Sequence, residues 1–319
     1  MGRHGIAYLV AALALALAPL AGAYPIFLMK LLCFALFACA FNLTLGFAGL
    51  LSLGHAAFFG TSAYVAGYVL KNWGLTPELG LAVATLWAAF LGWVFGSLAI
   101  RRRGIYFAMV TLALAQMLYF FCVQAKFTGA EDGLHGIPRG NLLGLVSLKD
   151  DLAMYYLVLA IFGGAFFLIH RAVHSPFGQV LKGIRENEAR MRSLGYDVER
   201  FKLLAMVLSA AIAGLAGATK ALALGFATLV DVHWHMSGEV VLMALIGGVG
   251  TLAGPAVGAA IVVGLESVLA DKVGSWVTVI MGGLFMACVL LFRRGIVGEL
   301  GGLFRTREAP PDLPLEERT

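Results

Sequence analysis

Charge is scarce in this sequence. Asp, Glu, Lys and Arg make up 13% of its 319 residues, against about 25% in soluble proteins. With 61% of the residues hydrophobic, there is too little polar surface to wet a globular fold of this length, which excludes an ordinary cytosolic enzyme and a disordered chain. Cysteine is also rare. Cys33, Cys39, Cys122 and Cys288 all lie in apolar segments, with no C-x-x-C pair. A disulfide scaffold and a thiolate metal centre are thereby excluded, and the four read as small buried hydrophobes. The G-x-x-x-x-G-K-[ST] phosphate loop is missing. Gly248-Val249-Gly250-Thr251-Leu252-Ala253 matches a dinucleotide fingerprint in form, but it sits in an apolar run without a β-α-β unit. Carboxylates are not clustered as a metal–phosphate site requires, since Asp150-Asp151 stands alone at a loop end. His233 and His235 bracket Trp234 without a third ligand, so no metal site is expected.

What remains is a polytopic membrane protein. Runs free of charged residues cover Ile6–Met29, Leu31–Leu70, Leu79–Ile100, Gly104–Gln124, Leu152–His170, Leu203–Thr219, Val240–Leu265 and Gly274–Phe292. At ~20 residues per spanning helix, they predict an all-α transmembrane bundle of about nine or ten crossings. Sixteen of the 23 basic residues fall in Arg3, Arg101–Arg103, Arg171–Lys202 and Arg293–Arg318. Placing these on the cytoplasmic side satisfies the positive-inside rule. The net charge of +5 is thus a topology signal. Nucleic-acid binding needs a basic face on a folded surface, and here the basic residues follow the membrane boundary. Arg3-His4, the apolar run and Ala21-Gly22-Ala23 resemble a signal peptide, but Ile6–Ala23 exceeds the usual ~7–15-residue core. A retained first helix is expected. Residues 1–294 form the expected transmembrane domain, with 172–200 as a cytoplasmic loop and 295–319 as a cytoplasmic tail.

Two blocks share a pattern. Lys30–Leu45 leads into the glycine cluster Gly46–Gly54 and then into two further helical runs ending at Arg101. Glu239–Ile246 leads into Gly247–Gly254 and then into two runs ending at Arg293-Arg294. With the same orientation in both halves, these are read as parallel repeats containing glycine-broken helices. Clustered glycine permits close backbone approach or unwinding beside a water-filled path. Polar residues inside apolar runs usually face the bundle interior. The candidate pathway residues are therefore Asn42, Gly49, Ser52, His55, Thr111, Gln116, Glu239, Gly247 and Gly248. Lys220, near the end of its run, is expected to snorkel to the outer interface, the alternatives being contact with a substrate carboxylate or a pair with an acid such as Asp231 or Glu239. The polar loop Ala125–Asp151 reads as an outer contact for a partner or as a connector.

Arg171–Lys202 is the one long hydrophilic segment between membrane runs. Pro176 suits a helix start and Gly195 a stop. Val180, Leu181, Ile184, Met191 and Leu194 recur at helical spacing, which predicts a short amphipathic helix on the membrane face.

Glu188-Ala189, followed six residues later by Gly195, resembles the Glu-Ala-Ala…Gly loop of ABC-importer permeases. Ser175-Pro176-Phe177-Gly178…Leu194-Gly195, Asn42–Gly60, Arg103–Leu112, Thr128–Leu134 and Ser237–Val240 with Gly247–Thr251 resemble the branched-chain amino-acid permeases of the LivM type, in order over Tyr24–Arg294. Two departures are Arg190, where the loop has a second alanine, and Lys220, which is not typical there. The resemblance implies a multi-pass inner-membrane importer subunit with a cytoplasmic C-terminus. It would pair with a second homologous permease (LivH-like), two ATPase subunits and a periplasmic solute-binding protein. It implies no catalytic residue and no directly bound cofactor, ATP and Mg²⁺ belonging to the ATPase. Coupling would involve Arg185, Glu186, Glu188, Ala189 and Gly195. Branched-chain amino acids are the implied substrate; urea, amides and aromatic acids are alternatives in such relatives. An ion-coupled secondary transporter would need mid-membrane acids or bases and no coupling loop.

Overall fold

The computed structural model describes residues 24–142, 144 and 146–273, with short pieces at 10, 13–19, 22, 279–280, 282–283, 286 and 295–298. Most of the expected first helix, the run Gly274–Phe292 and the tail 299–319 lie outside the described residues.

Helices start and stop where local chemistry provides for it. Pro25 opens α1 (Pro25–Asn42), Pro77 opens α3 (Pro77–Ala99) and Pro176 opens α6 (Pro176–Glu186). At this first position the missing N–H is no loss and φ is already helical. Asp150 caps α5 (Asp151–His174), Asn187 caps α7 (Glu188–Ser193) and Asp197 caps α8 (Val198–Leu224), each side chain accepting a backbone N–H of the first turn. Gly225, at φ 78°, ends α8 in the left-handed conformation. The remaining helices are α2 (His55–Asn72), α4 (Ile105–Gln124), α9 (Trp234–Gly247) and α10 (Gly254–Val273).

Among the described residues, five helical segments are long and apolar enough to cross a membrane: Pro25–Phe47, α3, α4, α5 and α8. The chain is a polytopic helical bundle. α1 is apolar all round and sits inside it, with every residue from Leu32 to Asn42 buried. α8 packs on α1, α2 and α3 through small residues: Ala210 meets Gly92, Gly214 meets Ser62 and Ala88, and Gly217 lies against the Phe59 backbone. Such surfaces let helix axes approach closely in lipid, where packing replaces the hydrophobic effect between helices. α4 turns Tyr106, Met109, Met117 and Phe120 outward.

Both glycine clusters break helices. α1 continues as a π-helical turn, Leu43–Phe47, and the chain then runs without helix to His55. α9 ends at Gly247 and α10 begins at Gly254. The two breaks meet in space. Asn42 Nδ2 donates to Thr251 O at 2.8 Å, and Gly250 N–H donates to Asn42 Oδ1 at 3.0 Å.

The connections α4–α5 and α8–α9 are tied to the bundle. β1 (Leu134–His135) pairs antiparallel with β4 (Phe226–Ala227), and β2 (Asn141–Leu142) with β3 (Val146–Ser147). Ile137 N–H donates to Gly225 O at 3.0 Å. Arg139 bridges Asp151 at 2.6 Å and Ala223 O at 2.8 Å.

Candidate functional site

The amphipathic segment forms two helices rather than one. Asn187 adopts an extended conformation (φ −155°, ψ 98°) and caps α7 through Arg190 N–H, so the helical register restarts there. Val180, Leu181 and Ile184 are buried as their spacing predicts, and Met191 is half-buried against Gly183. Leu194 lies beyond the restart and is 64% exposed.

Of the expected coupling residues, Arg185, Glu186, Ala189 and Gly195 are exposed and Glu188 is half-buried. Gly195 has φ 88°, and a Cβ there would meet no atom within 4 Å. The strain of a left-handed alanine is then the whole effect. Gly195→Ala should weaken the α7 exit by about 1 kcal/mol, and Gly195→Asn should recover part of it, read as local protection in hydrogen exchange.

Glu188 is held on three sides. Its carboxylate meets Lys202 at 2.8 Å, Arg192 at 3.0 Å and Arg103 at 3.1 Å. Burial alone would push its carboxyl up, but these cations outweigh it and hold it below the usual carboxylate range. Glu188 thus joins the loop to the start of α8 and to the α3–α4 turn. Arg185 reaches the other way. Its Nη1 donates to Gly46 O, at the end of the π turn, and its Cγ lies 3.1 Å from where a Gly49 Cβ would stand. Two cavities flank it. One of about 400 Å³ is lined by Gly46, Phe47, Lys182, Arg185, Glu186 and Gly250. The other, about 210 Å³, lies between Gly49, Arg103, Arg185, Glu188 and Lys202.

Most of the expected pathway residues gather around the first break. Ser52 Oγ accepts the Gly54 N–H at 3.3 Å. Thr111 Oγ1 accepts the Leu53 N–H at 3.2 Å and donates to Ala108 O. His55 Nε2 is 2.9 Å from Ser209 Oγ and 3.4 Å from Thr44 Oγ1, with its ring edge-on to Phe41 and Phe58. Gly49 is exposed at φ 70°. Gly247 and Gly248 are buried at the second break, where a Gly247 Cβ would collide with the Gly254 carbonyl. Asn42, Ser52 and Thr111 thus satisfy unwound backbone that lipid cannot hydrate. Two residues not singled out do the same work: Ser237 Oγ accepts the Ala56 N–H at 2.9 Å, and Ser209 Oγ donates to Ala40 O at 2.5 Å. Both are small polar residues within apolar runs, the signal that singled out Ser52. Gln116 is half-buried on α4, away from this group in the chain.

Glu239 stands apart from the breaks, half-buried near the start of α9. It lies in the field of Lys30 and Glu266, themselves paired at 3.4 Å, and of Lys220 and Asp231. Lys220 does not snorkel. Gly225 turns the chain back over the end of α8, and Asp231 forms a buried ion pair with the lysine. The rings of Phe34, Phe59 and Phe226 stand 5.6, 5.7 and 5.9 Å from Nζ.

Over 279 residues the chain is 28% identical to the high-affinity branched-chain amino acid transport system permease protein LivM of Escherichia coli (strain K12). The match covers 80% of this chain and 65% of that protein. The LivM protein of Salmonella typhimurium (strain LT2) is 27% identical with the same coverage. A probable branched-chain amino acid transport permease protein LivH from Methanocaldococcus jannaschii is 26% identical over 165 residues, 49% of this chain and 51% of that one. The chain thus spans about two thirds, 65%, of the length of the two LivM relatives. No solved structure matches it. The family described as "Branched-chain amino acid transport system / permease component" matches residues 23–291, and the chain belongs to that family.

Proposed function

We propose that this chain is the transmembrane permease subunit of an ATP-driven importer, forming part of the translocation pathway for leucine, isoleucine and valine delivered by a periplasmic binding protein. The observation that carries this reading is the match of the permease family over residues 23–291. The form of the α6–α7 loop supports it. α6 is anchored by its apolar face, and α7 and the turn after it present Ala189 and Gly195 to solvent between α5 and α8. A partner can dock on such a helix, with its charges setting register more than affinity. In this reading the partner is an ATPase subunit, and Arg185, Glu186, Glu188, Ala189 and Gly195 serve coupling. ATP and Mg²⁺ are bound there and not by this chain.

A second permease of the same family and a second ATPase complete the assembly, in the bacterial inner membrane with the C-terminus cytoplasmic. The likeness to both LivM and LivH proteins supports a pair of related permeases. The pathway is formed beside the joined breaks, where Asn42, Gly49, Ser52, His55, Thr111, Gly247 and Gly248 gather, and continues past Glu239 on the outer side and Gln116 on α4. The test is co-purification of this chain with an ATPase subunit, followed by ATP-dependent uptake of labelled leucine into vesicles holding the complex and its binding protein. Failure to retain the ATPase would refute the importer reading. Retention with uptake of another solute would refute only the substrate.

A further inference from the structure

The π turn after α1 ends a helix inside the bundle. Its last carbonyls lack helical donors and carry the negative end of the helix dipole. Leu50 N–H satisfies Thr44 O at 2.9 Å. Gly46 O instead takes the Arg185 guanidinium, from a residue 139 positions away on α6. Gly250, on the second break, is within reach of the same group: a Cβ there would stand 3.0 Å from Arg185 Nη1. Gly250 and Thr251 are held in turn by Asn42, four residues before Gly46. Arg185 therefore contacts a place where both broken helices are joined.

The space around it is open. Arg185 lines both the 400 Å³ and the 210 Å³ cavities, so it crosses a cleft between loop and breaks. Glu188, by contrast, forms its ion pairs with α8 and the α3–α4 turn and not with the breaks. The loop has one charged attachment to the outer frame and another to the joined breaks.

We propose that Arg185 is the strut through which movement of the α6–α7 loop reaches the joined glycine breaks, its cation gripping the C-terminal end of α1, and that it acts here as a positioning residue and not as a docking contact for the partner. This deepens the importer reading and rests on it. A charged hydrogen bond of this kind is specific to a donor that keeps its charge and its reach.

The test uses the complete importer in lipid vesicles, with the binding protein and labelled substrate. Arg185→Ala should lower uptake by about tenfold or more, leave the ATPase subunit co-purifying in wild-type amount, and let ATP hydrolysis continue, so that uptake per ATP falls. Arg185→Lys should recover more of that ratio than Arg185→Gln. As an independent arm, Lys182 Nζ lies 5.9 Å from the Phe47 ring across the same cleft. A Phe47→Cys/Lys182→Cys pair joined by a thiol cross-linker should stop uptake reversibly, with reductant restoring it for a cleavable linker. Wild-type uptake per ATP in Arg185→Ala, or unimpaired uptake with the cleft cross-linked, overturns the strut. Loss of the ATPase from Arg185→Ala overturns it in favour of docking. If the wild-type chain itself retains no ATPase, the importer reading fails first and the strut with it.

Discussion

Asp231→Ala is expected to destabilise the bundle by about 3–5 kcal/mol, the usual cost of removing one partner from a buried ion pair. The Lys220 ammonium would remain in a box of Phe34, Phe59 and Phe226 without the carboxylate that is bonded to it. Asp231 also accepts the Thr228 N–H at 3.4 Å and hydroxyl at 3.3 Å, so the turn that returns the chain over α8 loosens as well. The outcome to look for is a lower thermal midpoint in detergent and faster cleavage of the Gly225–His233 segment by protease. The double variant Lys220→Met/Asp231→Leu removes both charges and should recover most of the loss, because apolar replacement of a whole buried pair is often neutral or better. A double variant as unstable as Asp231→Ala would show that the charges themselves, and not their imbalance, hold this corner.

Gly217→Leu should abolish accumulation of folded protein. A Cβ at Gly217 collides with the Phe59 carbonyl, and the Phe59 Cα is only 3.1 Å away. These are backbone atoms of α2 and have no rotamer to yield. Overpacking typically costs about 1–3 kcal/mol when side chains can move, and here the axes of α2 and α8 must separate. The same surface carries Gly214 against Ser62, so separation also opens its neighbours. Gly164→Leu on α5 is the control, since nothing lies within 4 Å of its Cβ position. Size-exclusion recovery should fall to background for Gly217→Leu and stay near wild type for Gly164→Leu. Equal recovery of the two would refute the close α2–α8 contact.

These two sites mark where the sequence is and is not legible. Helix starts are local events, so Pro25, Pro77 and Pro176 disclose them. The glycine clusters at 46–54 and 247–254 likewise disclose the breaks, because glycine's conformational freedom is written in composition. Helical spacing placed Val180, Leu181 and Ile184 on a buried face, but it could not see that Asn187 would restart the register and leave Leu194 outside. Periodicity says which face is apolar and nothing of what it meets. The Lys220–Asp231 pair depends on Gly225 reversing the chain. The Asn42 contacts span 208 and 209 positions and the Arg185 contact 139. In those contacts a side chain meets a backbone amide or carbonyl, which every residue has, so no pattern of residue types announces the partner.

α9 has 14 residues. At 1.5 Å per residue it rises roughly 21 Å, short of the ~30 Å hydrocarbon core of a bilayer. The missing depth falls to the chain on either side of it, Gly225–His233 with its strand β4 and the 3-10 turn Leu229–Asp231, and the non-helical Gly248–Ala253. Every peptide group there must find its partner within the protein, and the pairing of β1 with β4 and the Ile137–Gly225 bond provide some of these. The α4–α5 loop thus supplies backbone partners to the chain that leads into α9. Lengthening or cutting it near Leu134–Ile137 would remove these partners, so this segment, although it is a loop between α4 and α5, should tolerate change as poorly as a buried helix.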